Sequence, residues 1–384
     1  MVKEIEMDKD LIEEFRDKVN EHDFFRIKFQ NVEGKNYWNL ICSAMDWISV
    51  AATGLPNIKL NPKGMGYDHL ETLTLMQYIL TIDILAESII QLYRVIGEEG
   101  QSYPLHDNRE VFNQNKLSDD KYFKHVRAVF STHPVNLNSL DGVNNGEGER
   151  FFASWIARQG FFDHDYNVSL YSNIPEKDKQ HFLGINIKNL NEYAEMRYGL
   201  LKDLIEKVDN YNNKHIKKYV DSPIDIKENV LNQLEILFRE NEIRFGRHYG
   251  YGGIINYIYI MMKVDINAIK FNDFDVQLVH DYRDFLVSLI PEILKGLQEM
   301  KEIRIDRKVI YYGYALEKIE NFLFDGENQP GKSYLNALIK EGPLPNSISI
   351  NDDLSCLKLI LDSLLYCEYN KLGKPITFEE MMGK

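Results

Sequence analysis

Cysteine is scarce: Cys42, Cys356 and Cys367 are the only three in 384 residues. They cannot pair completely and have no zinc-like spacing, which excludes a disulfide scaffold and a cysteine-based zinc site. No apolar run is expected to reach the length of a bilayer span, and the opening MVKEIEMDKDLIEE is too acidic for a secretory signal. A cytoplasmic protein with no membrane partner is therefore expected. Positive charge is also in deficit, with 45 Lys and Arg against 59 Asp and Glu and a formal charge of −14. That excludes a broadly basic surface, so any nucleic-acid site must concentrate its cations locally.

Several catalytic signatures are missing. There is no GxSxG, kinase or dinucleotide pattern. GRHYGYGG (246–253) is glycine-rich, but it lacks the lysine and Ser/Thr of a phosphate loop and reads as a turn between helices. Arg247 and His248 in it remain reserve RNA contacts. FFDHDYN (161–167) sets His164 between Asp163 and Asp165. Adjacent residues seldom converge on one ion, and no HxxxH, HxxE or CxxC spacing completes a site, so no metal is expected.

What is present is an ordinary globular composition, 44% hydrophobic and 27% charged, on a chain long enough for two or three cores. Helical periodicity dominates. Helices are expected at 8–30, 36–53, 67–96 and 118–132, then a short aromatic helix in FFASWIARQG (151–160). A β-hairpin follows from YNVSLYS (166–172) and HFLGINI (181–187), and a helix capped by Asn189 runs to Lys218. Further helices are expected at 226–240, 242–263, 273–303 (broken by Pro291), 306–324, 331–340 and 352–370. The fold class is thus all-α, mostly a helical bundle, with one small β-hairpin insertion. Three regions follow: 1–150 a helical bundle; 151–222 a short helix, hairpin and long helix; 223–384 a helical accessory domain. The segment 67–96 is hydrophobic nearly all round, the mark of a helix at the centre of a bundle. No repeat, low-complexity tract or coiled-coil heptad is evident.

The most informative stretch is SDDKYFKHVRAVFSTHPVN (118–136). Ser118 reads as an N-cap and Asp119 and Asp120 suit the positive end of the helix dipole. Tyr122, Phe123, Val126, Val129 and Phe130 recur on one apolar face. Pro134 ends the helix and frees His133 from α geometry. Lys121, Lys124, His125 and Arg127 form either a local RNA-binding patch or a solvated helix face; His215, Lys217 and Lys218 are a second such cluster.

An arginine and a histidine with five residues between them, RAVFSTH at 127–133, on the third long helix of an N-terminal bundle, resemble the HEPN superfamily. The resemblance covers roughly residues 35–140. It implies a helical-bundle, metal-independent endoribonuclease of a bacterial toxin–antitoxin or anti-phage abortive-infection system. It implies no cofactor, single-stranded RNA or tRNA as substrate, a homodimer, and as an additional partner an antitoxin or defence-complex protein. Arg127 and His133 are the catalytic residues it points to, with Ser131, Thr132 and Asn136 flanking the cleft. The chain departs from the family at Ala128, where a polar residue is usual.

Asp83 and Glu87 sit within the apolar 67–96 helix, where an unpaired carboxylate is costly. Either one orients Arg127, or both face solvent or pair with Arg94. The chemistry needs little more. Histidine titrates near neutrality and transfers protons. A guanidinium offers paired donors to phosphate oxygens. RNA brings its own nucleophile, the 2′-hydroxyl. The rival reading is a non-catalytic scaffold of the same bundle type, in which His133 caps its helix and Arg127 forms a stabilising ion pair.

Overall fold

A computed structural model describes residues 4–62, 68–97, 102–113, 116–143, 148–156, 164–174, 180–226, 229–247, 249–266 and 274–383. The chain divides into two compact units, Met1–Asn213 and Lys214–Lys384.

The first unit opens with α1 (Lys9–Asn20) and α2 (Asp23–Gln30), where one continuous helix was expected. His22 is extended between them. Phe24 lies thirteen residues from Leu11, roughly half a turn off the α1 stripe, so an unbroken helix would leave it outside. The break buries Phe24, Phe25 and Phe29 together. Next come α3 (Trp38–Gly54) and α4 (His69–Ile96), the latter capped by Asp68, whose carboxylate accepts the Leu70 and Glu71 amides at 2.7 and 3.0 Å. Leu75, Ile79, Ile82, Leu85, Ile89 and Leu92 form the buried side of α4. By length and composition α4 is apolar enough to cross a membrane, which corrects the expectation that no segment is. It is not enclosed all round either: Leu70, Leu73, Leu80 and Ile84 are exposed.

The third bundle helix, α5 (Asp119–Arg127), is followed by the sheet and by two more helices, α6 (Ile187–Gly199) and α7 (Leu201–Val220), where a single helix from Asn189 was expected. Tyr78 donates to Asn191 at 2.5 Å and Tyr93 to Asp203 at 2.6 Å, which ties α4 to α6 and α7. The sheet is antiparallel in the order β1 (Phe151–Trp155), β2 (Tyr166–Ser172), β3 (His181–Ile185). The β2–β3 hairpin is as expected, with Tyr166 opposite Ile185. β1 differs from expectation: the start of FFASWIARQG forms a strand and not the short aromatic helix. Phe151 is buried and Phe152 exposed, the two-residue alternation of a strand, and Phe151 pairs with Ser172. Residues 157–160 lie outside the described residues.

In the second unit, α8 (Val230–Arg244) and α9 (Gly252–Lys263) flank GRHYGYGG. Buried Asn241 holds this turn, donating to the Gly246 and Tyr249 carbonyls at 3.1 and 2.9 Å and accepting the Tyr251 amide at 2.7 Å. Gly250 has φ +59°, and a Cβ there would strike Phe245 and Asn241. The glycines therefore serve a tight turn. α10 (Gln277–Ser288) and α11 (Ile290–Glu299) meet at Leu289, with Pro291 in the first turn of α11. The helix expected from 306 begins later, as α12 (Tyr314–Asp325); Tyr311, ahead of it, is buried and donates to buried Asp362. α13 (Gln329–Lys340), α14 (Leu354–Leu372) and the short α15 (Phe378–Met381) complete the unit. Asp362 also accepts from Tyr257 and lies 3.6 Å from Lys358, a buried polar network inside this unit.

Candidate functional site

The first turn of α5 is spent on tertiary bonds rather than on the dipole alone. Asp119 is fully buried and accepts the Val111 and Phe112 amides at 3.2 and 3.1 Å. Asp120 accepts from Tyr193 at 2.8 Å and from Arg197 at 3.0 and 2.7 Å. Arg197 is fully buried and lies 3.4 Å from the Tyr193 ring centroid. These bonds fasten the start of α5 to α6. Ser118 takes the N-cap backbone position but makes no side-chain cap bond.

The apolar face predicted for this helix is buried as expected: Tyr122, Phe123, Val126, Val129 and Phe130. Its final part is not α-helical. Ala128–Thr132 forms a π turn, closed by the His133 amide donating to the Ala128 carbonyl at 2.9 Å. Such five-residue turns recur at functional sites. It buries Val129, Phe130 and Ser131 in succession. No residue type in RAVFSTH signals the π turn; it follows from what surrounds the segment.

Arg127 ends the α-helical portion. Its guanidinium bonds Asp83 on α4 through Nη1 at 2.5 Å, with the two side chains 31% and 23% exposed. Of the two carboxylates considered from sequence, Asp83 is therefore the partner. Glu87 is exposed and accepts from Gln91 at 2.5 Å on its own helix. The Arg127 Nε is buried without a hydrogen-bond partner. The guanidinium is thus pinned at one end, on a side chain about a third of which is exposed.

His133 is exposed, with φ −138° and ψ 37°. The segment after it is pinned to β1: Pro134 accepts the Ala153 amide at 2.7 Å, and Leu137 and Phe151 exchange bonds of 2.9 and 3.0 Å. This support is not legible in the sequence, because residues 151–155 suit a helix as well as a strand. In a straight α-helix the six positions from Arg127 to His133 would mean about 240° of rotation. The π turn and the non-helical His133 replace that divergent geometry.

Among the flanking residues, Thr132 and Asn136 are exposed, and the Thr132 hydroxyl lies 3.5 Å from the Arg127 carbonyl. Ser131 faces inward, its hydroxyl buried and without a partner, so it does not line the surface beside His133 as expected. Lys121 and Lys124 are exposed and precede Arg127 at three-residue steps, which places the three cations along one slowly turning face. His125 drops out of this patch. It is buried and shares a 3.0 Å bond with the Leu140 carbonyl.

Burial pushes the His125 pKa below its ordinary 6.5, against a smaller opposing pull from the Leu140 carbonyl. The folded protein thus binds this proton less readily than the unfolded chain. Its contribution to stability is present above about pH 6.5 and is lost as pH falls toward the lowered native value. Urea midpoints measured from pH 7.5 to 5 should fall less steeply in His125→Gln than in wild type. Parallel slopes would remove His125 as a source of the pH dependence.

The reserve candidates are otherwise engaged or placed apart. His215 shares a 3.1 Å bond with the Arg244 carbonyl, while Lys217 and Lys218 are exposed. Arg247 is exposed, and His248 lies outside the described residues. Asp165 accepts the Ile187 amide at 2.9 Å at the start of α6, His164 is exposed, and Asp163 lies outside the described residues. Among the described residues, no three His, Cys, Asp or Glu side chains are grouped to hold a metal ion. Comparison with known proteins finds no matching family model, no similar curated protein and no matching solved structure.

Proposed function

We propose that this chain is a metal-independent endoribonuclease of the HEPN type, acting in the cytoplasm in a bacterial toxin–antitoxin or anti-phage abortive-infection system. One observation carries the reading: Arg127, fixed by Asp83 and partly exposed, ends a line of cations, and His133 stands exposed just past the π turn. Lys121 and Lys124 draw the RNA backbone to an otherwise acidic chain. Arg127 neutralises the non-bridging oxygens as the phosphorus gains charge. In a homodimer two Arg127–His133 pairs serve one cleft. One His133 removes the 2′-hydroxyl proton, the 2′-oxygen bonds to phosphorus, and the bond to the 5′-oxygen breaks. The second His133 protonates that leaving oxygen. The products are a 2′,3′-cyclic phosphate and a 5′-hydroxyl.

The test is incubation of the protein with total RNA, and with single-stranded DNA of matched sequence, in EDTA. RNA should be cut and carry those end groups, and DNA should survive because it has no 2′-hydroxyl. Cleavage that stops in EDTA, or 5′-phosphate ends, would refute the mechanism.

The second reading is a scaffold that binds an antitoxin or another defence-complex protein without cutting RNA. The closure of Arg127 on Asp83 favours it, since that pair also stabilises the bundle, and the −14 charge suits a basic protein partner. Under it, Arg127→Ala lowers stability and changes no RNA.

A further inference from the structure

We propose that residues 304–318, together with Lys358 on α14, form a docking surface for single-stranded RNA within the second unit. The segment reads RIDRKVIYYGYALEK, four cations against two carboxylates in a chain where acids outnumber bases 59 to 45. It rests on the ribonuclease reading for its meaning, and it assigns the strand a second holding place, remote in sequence from Lys121, Lys124 and Arg127.

The cations of this surface lie on aromatic rings instead of carboxylates. Arg307 is 4.4 Å from the Tyr257 ring centroid, Lys308 is 5.3 Å from Phe285 and Lys318 is 5.2 Å from Tyr314. Among the described residues, none of these three side chains makes a hydrogen bond or an ion pair. A ring holds a cation by its face and leaves the N–H donors unspent. Lys358 lies 4.9 Å from the Tyr311 ring and shares the Tyr257 ring with Arg307, at 5.8 Å. The carboxylate beside them, Asp362, is fully buried and already accepts from Tyr257 and Tyr311, so two cations face one engaged acid. Partly buried cations in excess of their counter-ions call for an anion from outside. Lys308 has φ +53°, a left-handed conformation uncommon for a residue with a Cβ, and such backbone recurs at ligand sites.

Exposed rings select the class of anion. Burial alternates along the segment: Val309 and Tyr311 are buried, while Ile310 and Tyr312 turn outward. Tyr312 is 57% exposed, and Tyr314, at the start of α12, is 65% exposed. Tyr314 meets the edge of Tyr334 on α13 at 6.5 Å, which steadies it without covering it. Outward rings beside unspent cations suit bases on a phosphate backbone, since every base has a face to stack. A duplex hides those faces, and an acidic peptide has phosphate-like charge without bases. The occupant is therefore a single strand.

The experiment is fluorescence anisotropy of a labelled 2′-O-methyl oligouridine with the full-length protein in EDTA. That strand has no free 2′-hydroxyl, so the proposed chemistry leaves it intact. Tyr312→Ala/Tyr314→Ala should weaken binding roughly thirtyfold or more, at about 1–3 kcal/mol per stacked base, with a nearly unchanged circular dichroism melt. Lys308→Ala/Lys318→Ala should lower the slope of log affinity against log salt by about 1.4, at about 0.7 per phosphate contact. Both losses should persist in a Lys121→Ala/Lys124→Ala background, which separates this surface from the one on α5. A wild type that does not bind, a tyrosine variant of unchanged affinity, an unchanged salt slope, or equal affinity for a duplex would each overturn the surface. So would displacement of the strand by polyglutamate as effective as by unlabelled strand, which marks a site for an acidic protein. Because the probe cannot be cut, a protein that binds it but cleaves no RNA refutes the ribonuclease and leaves the surface standing.

Discussion

Replacing His133 with alanine should slow RNA cleavage by roughly a hundredfold or more and leave the thermal melt unchanged. The melt is expected to hold because His133 is exposed and the bonds that pin its segment come from backbone groups of residues 133, 134, 136 and 137. Arg127→Ala should reduce cleavage at least as much, since it removes the charge that meets the developing phosphorane. It differs in also costing stability, because Asp83 on α4 loses its partner. Arg127→Lys separates charge from geometry: it keeps the charge but not the planar pair of donors, and should recover little activity. Rates are read on a fluorescently labelled RNA in EDTA, with melts recorded on the same preparations. Cleavage that is equal in wild type and both alanine variants would assign the activity to a contaminant or to other residues.

The largest effect on stability should come from Asp120. Arg197 is fully buried and Asp120, itself 14% exposed, is its carboxylate partner through two bonds. Asp120→Ala strands a buried guanidinium and unpairs the Tyr193 hydroxyl, and removing one partner of a buried pair costs about 3–5 kcal/mol. Asp120→Leu/Arg197→Met removes both charges and should recover much of that loss. The readout is the urea transition of the Met1–Asn213 unit, followed with a probe placed in that unit. A loss below about 1 kcal/mol would place the pair in the class of surface ion pairs and refute its role in anchoring α5. This pair also bears on the site, since α5 carries Lys121, Lys124 and Arg127.

Local pattern made most of the helices legible. In α5, apolar residues at three- and four-residue steps and definite end signals pointed to one answer, and α3, α5, α13 and α14 begin within a few residues of the expected positions. The errors fall where local preference is weak. Residues 151–155 suit a helix or a strand, and they became β1 because β2 and the segment after His133 offer backbone partners on either side. His22 and Leu200 carry no helix-breaking chemistry, and the breaks there serve burial on new faces.

The site divides along the same line. The amino-acid sequence by itself determined the line of cations, the Arg127–His133 spacing and the release of His133 by Pro134, because these are properties of residue type and position along one helix; it left open whether Asp83 or Glu87 partners Arg127 at all. Only the tertiary structure decided that the partner is Asp83 and not Glu87, that His125 and Ser131 point inward, and that residues 128–132 widen into a π turn. It also decided which side of the uniformly apolar α4 meets solvent. Each of these depends on which face of a helix another element covers, and that is set by packing between segments far apart in the chain, which periodicity within a single helix does not encode.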